Sequence, residues 1–211
     1  MQAKSDDIAY HHRTLSNTDE LLKSIEAKAR ERFMTVMLKD SFDVLIDTVK
    51  KRQPKRILEL GTAVGYSGIA MLNASPNAKL YTVEYLEERA EEAKQNFVKA
   101  GVYERVVQFI ASADEVLDNL SGEFDFMFID AAKSHYEHYF TMLDKHLSHG
   151  GVMVFDNVLF RGYVEGKAEY KHRMNTIVVN MRKFIERLKN DKNYVTDVLD
   201  VGDGLLIAEK K

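Results

Sequence analysis

Three oxygen-bearing side chains stand where two short apolar runs of the sequence end. Asp130 follows the run Phe124–Ile129, and Asp156 and Asn157 follow the run 152–155. Runs of this kind predict buried strands, and open α/β sheets bind ligands at the carboxyl ends of neighbouring parallel strands. Carboxylate and amide oxygens suit a hard divalent cation such as Mg²⁺. Asp130, Asp156 and Asn157 are therefore candidate metal ligands, with a helix cap or a turn as the simpler interpretation of each acid taken alone.

Lys133 lies three residues after Asp130, at the predicted start of the next helix. A cation is disfavoured at the amino terminus of a helix, so this position suggests a functional role. Beside a divalent cation the pKa of the lysine ammonium would fall, and the neutral amine could remove a proton from a substrate hydroxyl. The alternative is a surface lysine without a chemical role.

A glycine-bearing turn within residues 56–84 forms a second candidate site. A short apolar run, the turn, a helix and a second apolar run that ends at Glu84 predict one βαβ unit. Gly61 and Gly65 permit unusual backbone angles and a close approach by a ligand, and an acid about 20 residues past such a turn binds ribose hydroxyls in Rossmann-like folds. Ala63 stands where the G-x-G-x-x-G pattern has its second glycine. We therefore expect an adenosine ligand without a pyrophosphate, with a nucleotide-free turn as the alternative.

Two further groups of residues are candidates for ligand contact. Ser112, Ala113 and Asp114 follow the predicted strand Val106–Ile110 and could bind a base edge, although Ser112 or Asp114 could equally cap a helix. Met37 lies on an apolar stripe of an N-terminal helix, where ligand contact and core filling are both open interpretations.

The remaining periodicity predicts the elements that position these residues. Helices are expected within 17–50 (two), from 66, and over 87–99, 134–146 and 169–189; further strands are expected at 194–199 and 204–209. The VGDG connection between the last two strands is short, so these strands must be antiparallel. The predicted fold is α/β: six or seven strands, mostly parallel, with helices on both faces, a C-terminal antiparallel hairpin and extra N-terminal helices.

The composition limits the fold and the chemistry. Apolar residues make up 45% of the 211 residues, so we expect one domain over 1–211, in which 1–52 form the N-terminal helices. The absence of cysteine excludes disulfides and thiolate chemistry. A net charge of −3 argues against a general polyanion-coating protein but allows a local basic face. The start lacks a signal-peptide pattern and no window is apolar enough to span a membrane, so a soluble, cytoplasmic protein is expected.

Histidine and serine chemistry find little support in the sequence. His135 and His138 share a helix face without an evident carboxylate partner, so they are interpreted as solvent or interface residues. No G-x-S-x-G motif is present, which leaves serine hydrolysis without support.

Four segments together resemble the cation-dependent O-methyltransferases, the class I S-adenosylmethionine (SAM) family of catechol and caffeoyl-CoA O-methyltransferases. They are ILELGTAVGYSGIAML, YTVE, FDFMFIDAAKSHY and GGVMVFDNVLFRG, in the family's order and spacing. The resemblance extends from the second predicted helix onward, and it is strongest for the bacterial branch that methylates 5-hydroxyuridine at the wobble position of tRNA. The absence of tryptophan and the sequence after Asn157 depart from some small-catechol enzymes.

The resemblance implies a Rossmann-like class I methyltransferase fold with seven strands, and SAM and Mg²⁺ or another divalent cation as cofactors. It implies that SAM contacts Met37, Glu59, Gly61, Ser67, Glu84, Ser112, Ala113 and Asp130, with Glu59 and Gly61 at the methionine end, Ser67 at the carboxylate, Glu84 at the ribose, and Ser112 with Ala113 at the adenine. Asp130, Asp156 and Asn157 would bind the metal. Lys133 would be the base, with Asp130 as the second catalytic residue.

A tRNA partner is expected from this resemblance and from two basic segments. The first contains Arg161, Lys167, Lys171, His172 and Arg173, and the second contains Lys50, Lys51, Arg52, Lys55 and Arg56. Such clusters contact phosphates, although charge runs are usually solvated faces. Small catechols or phenolic acyl-CoA esters are the alternative substrates, and an NAD-dependent oxidoreductase or a non-catalytic nucleotide-binding module are the alternatives of another class. The two leading helices suggest a homodimer.

Overall fold

Seven strands form one sheet in the computed structural model, which describes residues 20–211. The order across the sheet is β3-β2-β1-β4-β5-β7-β6; the first five strands are parallel, and β7 is antiparallel to both β5 and β6. The strands are β1 (Arg56–Leu60), β2 (Lys79–Glu84), β3 (Val106–Ile110), β4 (Phe124–Ile129), β5 (Leu147–Asp156), β6 (Tyr194–Leu199) and β7 (Leu205–Lys210). The predicted mostly parallel sheet with a C-terminal antiparallel hairpin is confirmed.

Seven α-helices connect these strands in the described part of the chain. They are α1 (Glu20–Glu31), α2 (Lys39–Arg52), α3 (Tyr66–Ala74), α4 (Glu87–Lys99), α5 (Ala113–Asp118), α6 (Tyr136–Leu143) and α7 (Asn175–Asn190). Within residues 20–211, none of them combines the length and the apolar character that a membrane crossing requires. The residues before Glu20, where the first helix was expected to begin, lie outside the described range.

Two helix predictions were wrong in their bounds. The predicted helix 134–146 is an eight-residue α-helix, α6, flanked by the 3₁₀ turns Lys133–His135 and Asp144–His146. The predicted helix 169–189 begins only at Asn175, after the 3₁₀ turn His172–Met174. Residues 171–173 are exposed and polar, so they bring no apolar side chain to the core that would hold a regular helix there.

The sheet separates two hydrophobic cores because successive side chains of a strand point to opposite faces. In β1, Ile57 packs with helices α1 to α4, whereas Leu58 and Leu60 pack with α5 to α7. The central strands are therefore covered on both faces, which explains why their sequences are nearly continuous apolar runs.

The strand order reverses between β1 and β4, and this reversal creates the crevice at the carboxyl edge of the sheet. Two backbone hydrogen bonds continue the sheet past the strand ends: Asp130 N–H donates to Leu60 O at 2.9 Å, and Gly61 N–H donates to Val83 O at 3.0 Å. The polar residues that follow β1, β2 and β4 are thereby held at one edge.

Candidate active site

A cavity of about 670 Å³ lies in this crevice. Each of the first five strands contributes residues to its wall through the loop at its carboxyl end, and the 32–35 segment before α2 closes one side. The predicted site residues that line it are Gly61, Glu84, Ser112, Ala113, Asp130, Lys133 and Asn157. Residues from distant parts of the sequence are thus brought to one concave surface of the size a small ligand needs.

The carboxylate of Glu84 shapes the glycine-bearing turn. Its Oε2 accepts a hydrogen bond from Ala63 N–H at 2.9 Å, and its Oε1 accepts one from Leu86 N–H at 3.0 Å. Ala63 has a positive φ of 45°, a left-handed conformation that favours glycine. Each carboxylate oxygen has a second lone pair, so Glu84 can hold the turn and still accept a hydroxyl donor from the cavity.

Gly61 is required by the backbone of Asp130. Its φ is +102°, and a Cβ atom at this position would lie 2.2 Å from the carbonyl oxygen of Asp130. The sequence suggested glycine at this position because it lets a ligand approach the backbone. The structure adds a second reason, which is the close contact between the ends of β1 and β4.

Glu59 and Ser67 form a buried pair beneath the cavity wall. The Ser67 hydroxyl donates to Oε1 of Glu59, and the Thr82 hydroxyl donates to Oε2 at 2.6 Å. Burial raises the pKa of Glu59 to about 7, against the lowering effect of these two hydrogen bonds. Neither Glu59 nor Ser67 is among the lining residues of the cavity. Their predicted contacts with the methionine end of SAM stay a prediction.

Asp130, Asp156 and Asn157 meet where β4 and β5 end. Ile129 is paired with Phe155 in the sheet, so the next residue of each strand lies at the same level. Asp156 is almost fully buried; its Oδ1 accepts a hydrogen bond from Asn157 N–H at 2.7 Å, whereas its Oδ2 has no hydrogen-bond partner among the described residues. Asn157 has a φ of 55°.

The charges at this point destabilise two ionised carboxylates. Burial, followed by the charge of Asp130, raises the pKa of Asp156 well above its usual range. Burial also raises the pKa of Asp130, against the lowering effect of Lys133. An unpaired buried carboxylate oxygen is costly, and a cation bound to it would remove that cost. The donor set of two carboxylates and one amide therefore fits a divalent cation, although no group of three or more His, Cys, Asp or Glu side chains able to hold a metal occurs within residues 20–211.

Tyr136 is a residue of this site that the sequence did not indicate. Its buried hydroxyl donates to the carbonyl oxygen of Asp156 at 2.8 Å and lies 3.4 Å from that of Ile129. Burial raises the pKa of this phenol well above its usual range, so Tyr136 acts as a hydrogen-bond donor. It fastens the start of α6, and with it Lys133, to the ends of both strands. The only signal in the sequence is an aromatic residue on an apolar helix face, which normally indicates a core position.

The comparison with known proteins identifies the family. A family model described as O-methyltransferase matches residues 7–211. The chain belongs to the O-methyltransferase family. A Mycobacterium tuberculosis protein named "Probable O-methyltransferase" is 32% identical over 173 residues, which are 76% of this chain and 74% of that protein. The caffeoyl-CoA O-methyltransferase of Populus kitakamiensis is 29% identical over 170 residues, covering 77% of this chain and 72% of the relative.

Solved structures agree with the family assignment. The crystal structure of the O-methyltransferase TomG from Streptomyces achromogenes, in complex with SAM, superposes with a TM-score of 0.80 at 30% identity, covering 98% of this chain and 96% of that one. The fold is that of a class I SAM methyltransferase, as the resemblance of the four sequence segments predicted.

In this O-methyltransferase, Ser112 both lines the cavity and caps α5. Glu115 N–H donates to the Ser112 hydroxyl at 3.3 Å, and the Glu115 carboxylate accepts from Ser112 N–H at 2.9 Å, forming a capping box. Asp114 pairs with His138, whose Nε2 lies 3.0 Å from Oδ1 of the carboxylate. The interpretation of His138 as lacking a carboxylate partner was therefore wrong, because the partner comes from a different helix.

Met37 and the predicted acceptor-binding cations lie outside the cavity wall. Met37 is buried in the core beside α3 and does not line the cavity among the described residues, whereas Met34 does. The cations of the loop after β5 that were predicted to contact the acceptor are Arg161, Lys167, Lys171 and Arg173, and all four are exposed. Lys167 already pairs with Glu165 at 2.9 Å and Asp200 at 2.7 Å. Contact of these residues with an acceptor stays a prediction.

Proposed function

We propose that this O-methyltransferase moves the methyl group of SAM to a hydroxyl that has a second oxygen beside it, with the help of a divalent cation, and that its acceptor is 5-hydroxyuridine at the wobble position of tRNA. The observation that carries the proposal is the buried Oδ2 of Asp156, which lacks a partner among the described residues. It stands next to Asn157, and Asn157 shares a cavity with Lys133 and Glu84.

The shape of the cavity supports SAM as the donor. Its wall runs from Glu84 and Ser112 at one side to Asp130 and Lys133 at the other. Glu84 can accept hydrogen bonds from ribose hydroxyls, and Ser112 and Ala113, which line the same cavity, would contact the base. If SAM binds in this orientation, it would supply the methyl group from the Asp130 side of the cavity. The SAM complex of the TomG structure, which has the same fold, supports this choice of donor.

Asp130, Asp156 and Asn157 would hold the cation. A divalent cation held there would lower the pKa of the acceptor hydroxyl and help to orient it. The chain's own contribution is the rigidity of the ligands: Asn157 N–H holds one carboxylate oxygen of Asp156, and Tyr136 holds the carbonyl of the same residue. Both bonds restrain Asp156, while its Oδ2 has no hydrogen-bond partner among the described residues.

Lys133 would accept the hydroxyl proton as a neutral amine, a form that a divalent cation bound beside it would favour over the ammonium. It lines the cavity beside Asp130, and its charge acts on both carboxylates. In the proposed reaction the methyl carbon leaves the donor sulfur and bonds to the acceptor oxygen, while the proton of that oxygen passes to Nζ of Lys133. General-base assistance of this kind contributes roughly 10²–10⁴ to a rate.

The oxygen pair of the acceptor is the feature that the site would select. In 5-hydroxyuridine the 5-hydroxyl neighbours the O4 carbonyl, and this vicinal pair of oxygens imitates that of a catechol. Single-stranded RNA recognition uses splayed bases and cationic phosphate contacts, and the exposed cations after β5 offer such contacts. A catechol or a phenolic acyl-CoA ester is the second candidate acceptor, favoured by relatives named caffeoyl-CoA and catechol O-methyltransferase.

The test is an assay with labelled SAM and two kinds of acceptor. Bulk tRNA from a strain that lacks the enzyme and contains 5-hydroxyuridine is compared with catechol and caffeoyl-CoA, each with Mg²⁺ and with a chelator. We expect label in the tRNA wobble nucleoside, no label with the chelator, and no label in wild-type tRNA that is already methylated. Label confined to catechol or to caffeoyl-CoA would reject the tRNA acceptor and leave the second candidate.

A further inference from the structure

A second cavity, of about 380 Å³, adjoins the candidate active site. One wall is the start of α6 with Lys133 and Glu137, and the other is the middle of α7 with Asn180, Lys183 and Arg187. Lys133 lines both this cavity and the larger one. A group bound in the second cavity would therefore lie beside the residue that is the candidate base of the larger cavity.

The walls of the second cavity carry an excess of positive charge. Arg187 forms an ion pair with Glu137, and its guanidinium lies 5.0 Å from the centre of the Phe140 ring. This pair neutralises the single acid among the residues that line the cavity. Lys133 faces the carboxylates of Asp130 and Asp156, so Lys183 remains as the cation of this wall without an acidic partner among the described residues.

Lys183 is the cation of this wall whose ammonium group has no bonding partner within the described residues. It is exposed and takes part in no hydrogen bond or ion pair of residues 20–211, whereas Lys167 in the loop after β5 is held by two carboxylates. The neighbouring Asn180, one helical turn earlier, adds an amide that donates hydrogen bonds. An ammonium and an amide at this spacing are a suitable pair of donors for an anionic oxygen.

We infer that this second cavity binds a phosphate group of the methyl acceptor, with Lys183 as its principal ligand. The inference rests on the proposed function, because it describes how the same site holds its acceptor. A lysine ammonium is a compact charge that binds phosphate as a point charge. The phosphate ester belongs either to an RNA backbone or to coenzyme A, and both present the same group at Lys183. Lys183 is a binding and positioning residue, since it touches a part of the acceptor that does not react.

The first experiment is independent of the identity of the acceptor. Inorganic phosphate is titrated into the ¹⁵N-labelled full chain, and amide shifts are followed by NMR for the wild type, Lys183→Ala and Lys189→Ala. Lys189 is an exposed lysine of the same helix that does not line the cavity. We expect saturable shifts around residues 133–137 and 180–187, with a Kd that Lys183→Ala raises about three- to fivefold, within the range of an exposed ion pair. The matched control is expected to leave the Kd unchanged. Absence of saturable shifts, or equal effects of both variants, would overturn the inference.

The second experiment identifies the source of the phosphate. Steady-state methylation of tRNA, caffeoyl-CoA and free catechol is measured with the same variants. Lys183→Ala is expected to raise KM, with kcat nearly unchanged, for the phosphate-bearing acceptor that the enzyme uses, and to lower the salt dependence of tRNA binding by about one unit of the log–log slope. The KM for catechol is expected to stay the same.

A higher KM confined to caffeoyl-CoA would assign the site to coenzyme A. Phosphate binding without tRNA methylation would reject the proposed acceptor while the phosphate site stands, whereas an equal loss with catechol would overturn the phosphate site.

Discussion

The backbone N–H of Asn157 donates a 2.7 Å hydrogen bond to Oδ1 of Asp156, and Oδ2 of the same carboxylate is left buried with no partner in residues 20–211. One oxygen is therefore fixed by a backbone hydrogen bond, and the other receives no hydrogen bond from the described residues. A carboxylate held in this way is preorganised for a ligand that supplies positive charge.

Asp156→Asn tests this arrangement, because the amide keeps an oxygen for the Asn157 N–H and removes the charge. In the wild type, Mg²⁺ at about 100 times its Kd should raise the free energy of unfolding by about 2.7 kcal/mol. We expect Asp156→Asn to lose this increase and the methyl-transfer activity. Asp114→Asn is the control, since Asp114 lines the same cavity but pairs with His138, and it should keep the increase. Thermal and chemical denaturation with and without Mg²⁺ measure the increase in the free energy of unfolding. An undiminished increase in Asp156→Asn would contradict the role of Asp156 as a metal ligand.

Two substitutions of Lys133 separate its charge from its proton chemistry. Lys133→Ala removes both, while Lys133→Arg keeps a cation that does not deprotonate in proteins. We expect both variants to lower the single-turnover rate of methyl transfer by roughly 10²–10⁴, with SAM binding by calorimetry largely retained. Lys145→Ala, at an exposed lysine beyond α6, should behave as the wild type. A Lys133→Arg variant with near-normal rate would show that only the charge matters.

Glu59 makes the stability of the ligand-free protein depend on pH. Its pKa of about 7 in the folded state lies above the ordinary glutamate value of 4.5, so between these values the unfolded chain loses a proton that the folded chain keeps. The free energy of unfolding therefore falls as the pH rises through this window, by up to about 3 kcal/mol, and Glu59 adds no further pH dependence above it.

Glu59→Gln removes this titration. Relative to the wild type, the variant should gain stability as the pH rises from 4.5 to about 7, and the difference should then stay constant. Glu88→Gln, at an exposed acid in the first turn of α4, should follow the wild type. Urea denaturation at several pH values in cation-free buffer measures the three curves. Parallel curves for Glu59→Gln and the wild type would show that the buried carboxyl keeps an ordinary pKa.

The strand ends were predictable because burial on both faces leaves a clear pattern in the sequence. β4 is apolar at every position but one, and the first polar residue after it, Asp130, marks the edge of the sheet. In β2 the acid Glu84 is the last residue of the strand and directly follows the buried Val83. Asp130 and Glu84 could be identified from the sequence because each of them ends an apolar run.

The residues that support the site could not be identified in the same way, since their partners are distant in the chain. Glu59 receives its hydrogen bonds from Ser67 and Thr82, 8 and 23 residues later. Tyr136 reaches Asp156 across 20 residues, and Lys167 reaches Asp200 across 33. Periodicity reports which face of an element is buried, but it does not report which polar group meets which.

The close contact of Gly61 with Asp130 gives a final prediction about the shape of the site. A Cβ at Gly61 would lie 2.2 Å from the carbonyl oxygen of Asp130, and the backbone there cannot yield without displacing a candidate metal ligand. Gly101 also has a positive φ, +69°, but nothing lies within 4 Å of an added Cβ. Gly101→Ala therefore measures the cost of the left-handed conformation alone, about 1–2 kcal/mol.

Gly61→Ala should be more destabilising than Gly101→Ala by a further 1–3 kcal/mol, roughly the cost of overpacking, and it should weaken the stabilisation by Mg²⁺, which Gly101→Ala should preserve. Denaturation of both variants with and without Mg²⁺ provides the comparison. If Gly61→Ala is no less stable than Gly101→Ala and keeps its Mg²⁺ response, then the ends of β1 and β4 have room to move apart. In that case the contact between Gly61 and Asp130 would not fix the position of the metal ligand.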